Sequence, residues 1–184
     1  MMIRTFIALE IPKNVLDFTI DSIRKSVKSF DKIRWEKEDK LHLTLKFIGN
    51  FEESNIEHLI KDLNLLLEDF PKLDLQLNKF GFFIKDNIPK ILWLGLKENE
   101  NLNKLVMKID ELTFQYRIER EKRKFKPHIT LLRIKDLEYI NELNTLKEIK
   151  FENVNFIADK IHLFKSELLK TGSVYKSLKE FQLK

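Results

Sequence analysis

The stretch LHLTLKFIG, residues 41–49, decides how the rest of the chain is interpreted. His42 and Thr44 alternate with leucines, and a period of two is typical of a half-buried β-strand. We therefore predict a strand that ends at Gly49, with His42 and Thr44 on one face. The intervening leucines, together with Phe47, are predicted to face a hydrophobic core.

The stretch PHITLLR, residues 127–133, repeats this arrangement with His128 and Thr130. Two of the four histidines in the chain therefore occupy the same tetrad, His-x-Thr-Leu. A single tetrad would be a weak signal, but its recurrence predicts two related halves. If the two strands face one cleft, two imidazoles and two hydroxyls converge there.

This set of side chains suits the cleavage of a phosphodiester. A neutral imidazole can accept a proton from a nucleophile, and a protonated one can donate a proton to a leaving group near neutral pH. Hydroxyls can donate hydrogen bonds to phosphate oxygens. The residues alone do not show which histidine is the donor and which is the acceptor.

Other catalytic classes fit the sequence less well. Two histidines without an aligned Asp, Glu or Cys provide too few ligands for a zinc site, and the chain contains no cysteine at all. A Gly-x-Ser-x-Gly nucleophile elbow and a Gly-x-x-x-x-Gly-Lys phosphate loop are both absent. The sequence thus predicts neither a metal nor another cofactor.

Composition predicts a folded, water-soluble protein. The chain has 184 residues, is 43% hydrophobic and has a net charge of +5, which mildly favours a polyanionic partner. No apolar run is long enough for a membrane span, and the first ten residues do not resemble a signal peptide. We expect a cytoplasmic monomer that forms one two-lobed domain, residues 1–184.

The order of predicted elements indicates an α+β fold. We expect two pseudo-symmetric lobes of mainly antiparallel sheet, with helices on the outer faces, around a central cleft. A capping box at Ser54 and Glu57 is predicted to start the second helix. The remaining predicted strands are 3–10, 33–35, 73–80, 91–96, 151–156, 160–165 and 175–183, with a turn at 171–173; the other helices follow Pro12 and span 101–114 and about 137–143.

Taken together, these motifs resemble the two-histidine phosphoesterase superfamily, and in particular its RNA 2′,3′-cyclic phosphodiesterases, the LigT-like family once called 2′-5′ RNA ligases. The resemblance covers nearly the whole chain. Besides the two tetrads, it is carried by Arg4-Thr5-Phe6-Ile7-Ala8 with Pro12, Arg34-Trp35, Gly81-Phe82-Phe83, residues 89–95, and Ser166-Glu167-Leu168 with Gly172 and Tyr175.

The resemblance implies a metal-independent hydrolysis of RNA 2′,3′-cyclic phosphate ends to a 2′-phosphomonoester, with tRNA fragments among the candidate substrates. It implies that His42 donates a proton to O3′, that His128 accepts one from water, and that Thr44 and Thr130 hold the phosphate. Joining RNA through a 2′-5′ linkage at the same site, and non-catalytic binding of RNA ends, remain open alternatives.

Several other residues are candidates for weaker roles. Arg133 could bind the ribose or phosphate, or it could form a structural ion pair instead. Strict alternation places it opposite His128, so that a bulge or the strand end would have to turn it toward the ligand. Lys46 is expected at the cleft mouth or in solvent. The basic stretch 117–126 could guide RNA phosphates. Bases could stack on aromatic side chains at strand ends, namely Trp35, Phe82 and Phe83.

Overall fold

The computed structural model describes residues 1–170 and 172–184. Eight strands and four α-helices follow one another along this part of the chain. They are β1 (Met2–Glu10), α1 (Lys13–Ser26), β2 (His42–Glu52), α2 (Ile56–Leu67), β3 (Leu73–Lys85), β4 (Ile88–Leu96), α3 (Glu100–Phe114), β5 (His128–Arg133), α4 (Ile140–Thr145), β6 (Asn155–Ala158), β7 (Lys160–Leu169) and β8 (Gly172–Gln182).

The strands form one continuous sheet in the order β6-β3-β4-β5-β2-β1-β7-β8. All neighbouring strands are antiparallel. The sheet has two lobes of four strands, β2-β1-β7-β8 and β5-β4-β3-β6, which meet where Leu43 of β2 pairs with Ile129 of β5. The predicted α+β class and two-lobed antiparallel architecture are therefore confirmed.

The lobes do not coincide with the two halves of the chain. Each lobe takes two strands from the first half and two from the second, because β1 and β2 associate with β7 and β8, while β3 and β4 associate with β5 and β6. The long connections that carry the chain between them are partly helical, and the helices pack their apolar stripes against the sheet. One hydrophobic cluster extends through both lobes.

A bulge in β2 changes the face on which its side chains lie. Ile7 pairs with Lys46 and Ala8 with Thr44, so Leu45 is an extra residue between two ladder positions. Leu45 and Lys46 consequently both point to the buried side, and Phe47 emerges on the side of His42. The prediction that Phe47 faces the core is wrong, since 69% of this residue is exposed.

The same strand continues past Gly49 to Glu52, so the predicted end at Gly49 is wrong. Gly49 has a φ of +79°, a left-handed conformation that glycine adopts without steric cost. It lies at a second register shift, where Thr5 pairs with Gly49 and Phe6 with Phe47. Glycine here bends the strand without interrupting its pairing.

β5 contains an equivalent bulge. Trp93 pairs with Thr130 and Leu92 with Leu132, which leaves Leu131 as the extra residue. Leu131 and Leu132 are both buried, and Arg133 returns to the side of His128. Arg133 in β5 therefore occupies the position that Phe47 occupies in β2, five residues after the histidine.

Three local predictions are wrong, two of them because 3₁₀ turns form near or at the predicted positions. Residues 33–35 form no strand; they lie between two 3₁₀ turns, and the Trp35 amide bonds to the Ile33 carbonyl. Ser54 does not cap α2, because 53–55 is itself a 3₁₀ turn with no side-chain cap. Within the predicted strand 151–156, pairing begins only at Asn155.

Other local predictions hold with small shifts. The helix after Pro12 is present, and the predicted helix at 101–114 begins one residue earlier. The fourth helix is shorter than predicted and excludes Leu137. The turn predicted at 171–173 includes Thr171, which lies outside the described residues. None of the helices in the described chain is long and apolar enough to cross a membrane.

Candidate active site

Both tetrads line a single cavity of about 420 Å³ at the junction of the two lobes. We call it the histidine cavity. Among its lining residues are the two histidines and two threonines of the tetrads, together with Arg133. The lining residues are Arg4, Thr5, Phe6, Glu36, Lys40, His42, Thr44, Phe47, His128, Thr130, Arg133, Ser166, Ser173 and Tyr175.

The convergence follows from the sheet. His42 is the first residue of β2 and His128 the first of β5, and these strands are antiparallel neighbours paired through Leu43 and Ile129. In each strand the leucine or isoleucine after the histidine is buried in the core, so the histidine and threonine must face the opposite side. The apolar residues thus orient the polar ones.

The ring of His128 has a defined tautomer. Its Nδ1 lies 2.7 Å from the Lys126 carbonyl oxygen, which can only accept a hydrogen bond, so Nδ1 carries the hydrogen. Nε2 is then an unprotonated acceptor whenever the ring is neutral. Burial lowers the pKa of His128, and the hydrogen bond to Lys126 partly opposes this effect. At neutral pH the ring is therefore suited to accept a proton.

His42 lies in an aromatic environment. Its ring stacks on Phe6 with a centroid distance of 5.1 Å, and Tyr175 contacts it edge-on at 5.6 Å. Burial lowers the pKa of His42 to about 4, and electrostatic interactions with His162 and Arg133 contribute further. In the absence of an anion, His42 is neutral over most of the physiological pH range.

Thr44 and Thr130 offer their hydroxyls to the cavity. Within the described part of the chain neither hydroxyl is engaged in a hydrogen bond with another residue. Each follows its histidine by two positions and lies on the same face. A ligand with acceptor oxygens could therefore bind both hydroxyls and both imidazoles.

The remaining charges of the cavity are mainly positive. Arg4, Lys40 and Arg133 are opposed by one carboxylate, Glu36, whose Oε1 lies 3.2 Å from the Arg133 Nε. Arg133 reaches the cavity because of the β5 bulge, and it also forms the ion pair that was considered as its alternative role. The cavity is thus electrostatically suited to an anion.

Sequence reasoning missed several lining residues. Arg4 could have been found, because it alternates with Phe6 in the first strand. Lys40 and Glu36 lie in an irregular segment without a recognisable pattern, and Tyr175 comes from the distant strand β8. Nothing in the local sequence indicates that these side chains meet the histidines.

Lys46 does not lie where the alternation of β2 placed it. It is only 7% exposed, forms a salt bridge with Asp110 of α3, and donates to the Glu119 carbonyl at 2.8 Å. The expectation of a lysine at the cleft mouth or in solvent is therefore wrong. The cause is the Leu45 bulge, which turns Lys46 toward the helices.

The aromatic and basic candidates are distributed elsewhere. No residue of the stretch 117–126 lines the histidine cavity. Phe83 contacts the ring of His128 edge-on at 4.8 Å, so it supports that histidine. Lys147 lies over the ring of Phe82 at 4.8 Å. Trp35 lines a neighbouring cavity and stacks on Phe30.

A second cluster of metal-ligand types lies outside the cavity, on strands β1, β7 and β8. One ligand atom each of Glu10, His162 and Glu180 lies within 4.8 Å of the others. His162 Nε2 is already hydrogen-bonded to Glu10 at 2.9 Å, and the Lys160 ammonium lies 3.8 Å from the same carboxylate. The geometry is that of a hydrogen-bonded charge cluster, and it holds the buried His162 in place.

Comparison with protein families now defines the class. The family model described as LigT like Phosphoesterase matches the chain twice, over residues 10–93 and 94–175. These two matches leave few residues unassigned, and each contains one of the tetrads. The chain belongs to the LigT-like phosphoesterase family.

Curated relatives and solved structures agree. An RNA 2′,3′-cyclic phosphodiesterase of Thermotoga maritima is 31% identical over 97% of this chain and 95% of its own length. An RNA 2′,3′-cyclic phosphodiesterase of Methanocaldococcus jannaschii is also 31% identical, over 97% of this chain and 99% of its own length. The crystal structure of a Thermus thermophilus protein shares the fold, with a TM-score of 0.79 at 23% identity. That of E. coli LigT complexed with 3′-AMP has a TM-score of 0.76 at 22% identity. Each comparison covers at least 97% of both chains.

Proposed function

We propose that this protein hydrolyses the 2′,3′-cyclic phosphate at the end of an RNA to a 2′-phosphomonoester. The observation that carries the proposal is that both His-x-Thr tetrads line one cavity in which cations outnumber carboxylates. The relatives named RNA 2′,3′-cyclic phosphodiesterase, similar over nearly the whole chain, support the choice of substrate. A 2′,3′-cyclic phosphate needs the ribose 2′-oxygen, so the substrate is RNA and not DNA.

In the proposed reaction, His128 Nε2 accepts a proton as the oxygen of a water molecule forms a bond to phosphorus. The bond between phosphorus and O3′ breaks, and His42 donates a proton to O3′. The products are a 2′-phosphate and a free 3′-hydroxyl, so the atoms and the proton balance. A positioned acid or base typically contributes about 10²–10⁴-fold each to such a reaction.

The low pKa of His42 is compatible with a donor role once substrate is present. A phosphate anion beside the ring favours the protonated form and raises the pKa from its value of about 4 in the free protein. His128 is already held with Nδ1 protonated and Nε2 free to accept. The fixed tautomer therefore favours His128 as the base and leaves the donor role to His42.

The other cavity residues have matching roles in the proposal. Thr44 and Thr130 donate hydrogen bonds to the non-bridging phosphate oxygens. Arg133 adds a positive charge that stabilises the more negative transition state. No step requires a metal ion, because the two imidazoles carry the proton transfers. We further propose that the protein acts as a cytoplasmic monomer, with tRNA fragments among its substrates.

The test is an assay on a 5′-labelled oligoribonucleotide that ends in 2′,3′-cyclic phosphate, with EDTA present. We expect conversion to a 2′-phosphate. This product is distinguished from a 3′-phosphate because a phosphatase specific for 3′-phosphates does not remove it. An intact cyclic end would contradict the proposal, and tight binding without turnover would indicate an RNA-end-binding protein instead. Adding an RNA with a 5′-hydroxyl tests ligation, since a longer product would show 2′-5′ joining at the same site.

A further inference from the structure

A second cavity, of about 720 Å³, opens from the histidine cavity, and we call it the basic cavity. The two cavities share five lining residues, which are Glu36, Lys40, Arg133, Ser173 and Tyr175. Much of the remaining lining comes from the segment before β2 and the segment after β5. These segments lie side by side because the two strands are antiparallel neighbours, and the Glu36 amide donates to the Leu131 carbonyl at 2.9 Å.

The basic cavity carries a large excess of positive charge. Seven of its lining residues are lysine or arginine, and only Glu36 and Asp136 are acidic. Three of the lysines, Lys32, Lys37 and Lys135, are exposed and belong to no ion pair within the described residues. Unpaired cations grouped along one surface attract the phosphates of a polyanion.

The chain has another opening beside the histidine cavity, and its charge is opposite. A cavity of about 1010 Å³ adjoins Phe47, and apart from His58 its one basic lining residue is Arg117, against Glu52 and Glu119. A polyanion whose end lies between the histidines would therefore be attracted more strongly toward the basic cavity than toward this one. Trp35 and Tyr139 add aromatic surface to the basic cavity, on which bases can stack.

We propose that the basic cavity binds the single-stranded nucleotides that precede the cyclic phosphate, so that the protein prefers an oligoribonucleotide to a cyclic mononucleotide. This inference rests on the proposed function for the position of the RNA end. Lys32, Lys37 and Lys135 contact phosphates of the preceding nucleotides, and Lys40 and Arg133 lie between this segment and the reacting phosphate.

Binding tests the inference independently of turnover. Fluorescence anisotropy would measure the Kd of a decaribonucleotide with an unreactive 2′-phosphate end, at several salt concentrations. In the variant Lys32→Ala, Lys37→Ala, Lys135→Ala we expect Kd to rise at least tenfold at low salt. Because each contact of a single strand contributes about 0.7 to the slope of log K against log salt, the slope should fall by about 2.

A charge-matched variant provides the control. Lys25, Lys61 and Lys108 are exposed on α1, α2 and α3, away from both cavities, and replacing all three with alanine removes the same charge. We expect this variant to bind the decamer within twofold of wild type. If both triple variants bound equally weakly, binding would be diffuse, and the inference would be overturned. If neither variant bound more weakly than wild type, the RNA would bind elsewhere, and the inference would also be overturned.

Turnover of 2′,3′-cyclic AMP, which is too short to reach the basic cavity, separates the two proposals. Wild type should open the cyclic end of an RNA decamer with a kcat/KM at least tenfold higher than that for cyclic AMP. Equal values for the two substrates would overturn the length preference while leaving the hydrolytic function intact. If neither substrate is opened, the proposed function fails, and the anisotropy comparison still decides whether the basic cavity binds RNA.

Discussion

The two histidines differ in their surroundings although their tetrads are alike. His42 is enclosed by Phe6, Phe164 and Tyr175, and its environment lowers its pKa to about 4. His128 has one aromatic neighbour, Phe83, and a hydrogen bond that fixes its tautomer. In the proposed mechanism, the His128 ring is therefore suited to act as the base, and the His42 ring needs the substrate anion to become an acid.

This asymmetry predicts the pH dependence of the reaction. The pKa values of both histidines are lowered in the free protein, and the proposed mechanism needs one ring protonated and the other neutral. As kcat/KM reports the free protein, it should rise above about pH 4, peak below the usual histidine pKa of about 6.5 and fall as pH increases further. A bound phosphate raises these pKa values, so the kcat profile should lie at higher pH.

The measurement is a pH series of initial rates on a cyclic-phosphate RNA at constant ionic strength. An alkaline limb of kcat/KM well above pH 7 would contradict the lowered pKa values. Circular dichroism over the same pH range distinguishes titration of the histidines from acid unfolding of the chain.

At this scale the sequence identified the four side chains that converge on the histidine cavity, but not their surroundings. His42, Thr44, His128 and Thr130 could be selected because the tetrad occurs twice with strand alternation. Lys40 and Tyr175 could not be assigned to the cavity, because Lys40 lies in an irregular segment and Tyr175 comes from the distant strand β8. The position of Arg133 depended on a bulge that alternation alone does not reveal.

At the scale of elements, the two bulges have the greatest effect. Each places two consecutive residues on the buried side: Leu45 and Lys46 in β2, and Leu131 and Leu132 in β5. Each then returns the next residue, Phe47 or Arg133, to the histidine side. The bulges therefore widen the set of cavity residues beyond the tetrads, in both strands alike.

The β2 bulge predicts a large structural cost for the loss of Lys46. Replacing Lys46 with alanine leaves the largely buried Asp110 carboxylate without its partner, and breaking such a pair typically costs about 3–5 kcal/mol. We expect the variant Lys46→Ala to lower the free energy of unfolding by about this amount, measured by urea denaturation.

Lys61→Ala, at an exposed position on α2, serves as the control and should change stability by less than about 0.5 kcal/mol. The double variant Lys46→Ala, Asp110→Ala should recover part of the loss, since it removes the unpaired charge. If Lys46→Ala were as stable as Lys61→Ala, the ammonium of Lys46 would lie in solvent, as simple alternation predicts.

At the scale of the whole molecule, the two lobes are interlocked. Each lobe needs strands from both halves of the chain, and the histidine strands β2 and β5 join them at the centre of one sheet. The family model nevertheless matches each half separately, which reflects a repeat in sequence. The repeat predicted the two lobes correctly, but the exchange of strands between halves has no local signal, since pairing between distant strands depends on the complete fold.

The interlocked sheet predicts that neither half folds alone. A fragment of residues 1–96 contains β1 to β4, but it lacks the neighbours β5, β6 and β7 on which those strands pack. We expect this fragment to show no cooperative thermal transition, whereas the full chain should unfold in one transition by both circular dichroism and tryptophan fluorescence. A cooperative transition in the fragment would contradict a single two-lobed domain.

The central claim is that the two histidines, one from each half, act on the same phosphate. The most direct measurement is the single-turnover rate of cyclic-phosphate opening for wild type, His42→Ala, His128→Ala and the double variant, with EDTA present and folding checked by circular dichroism. We predict that each single variant loses about 10²–10⁴-fold, and that the double variant loses far less than the product of the two, because the groups act as a unit. A single variant that retains the wild-type rate would contradict the claim.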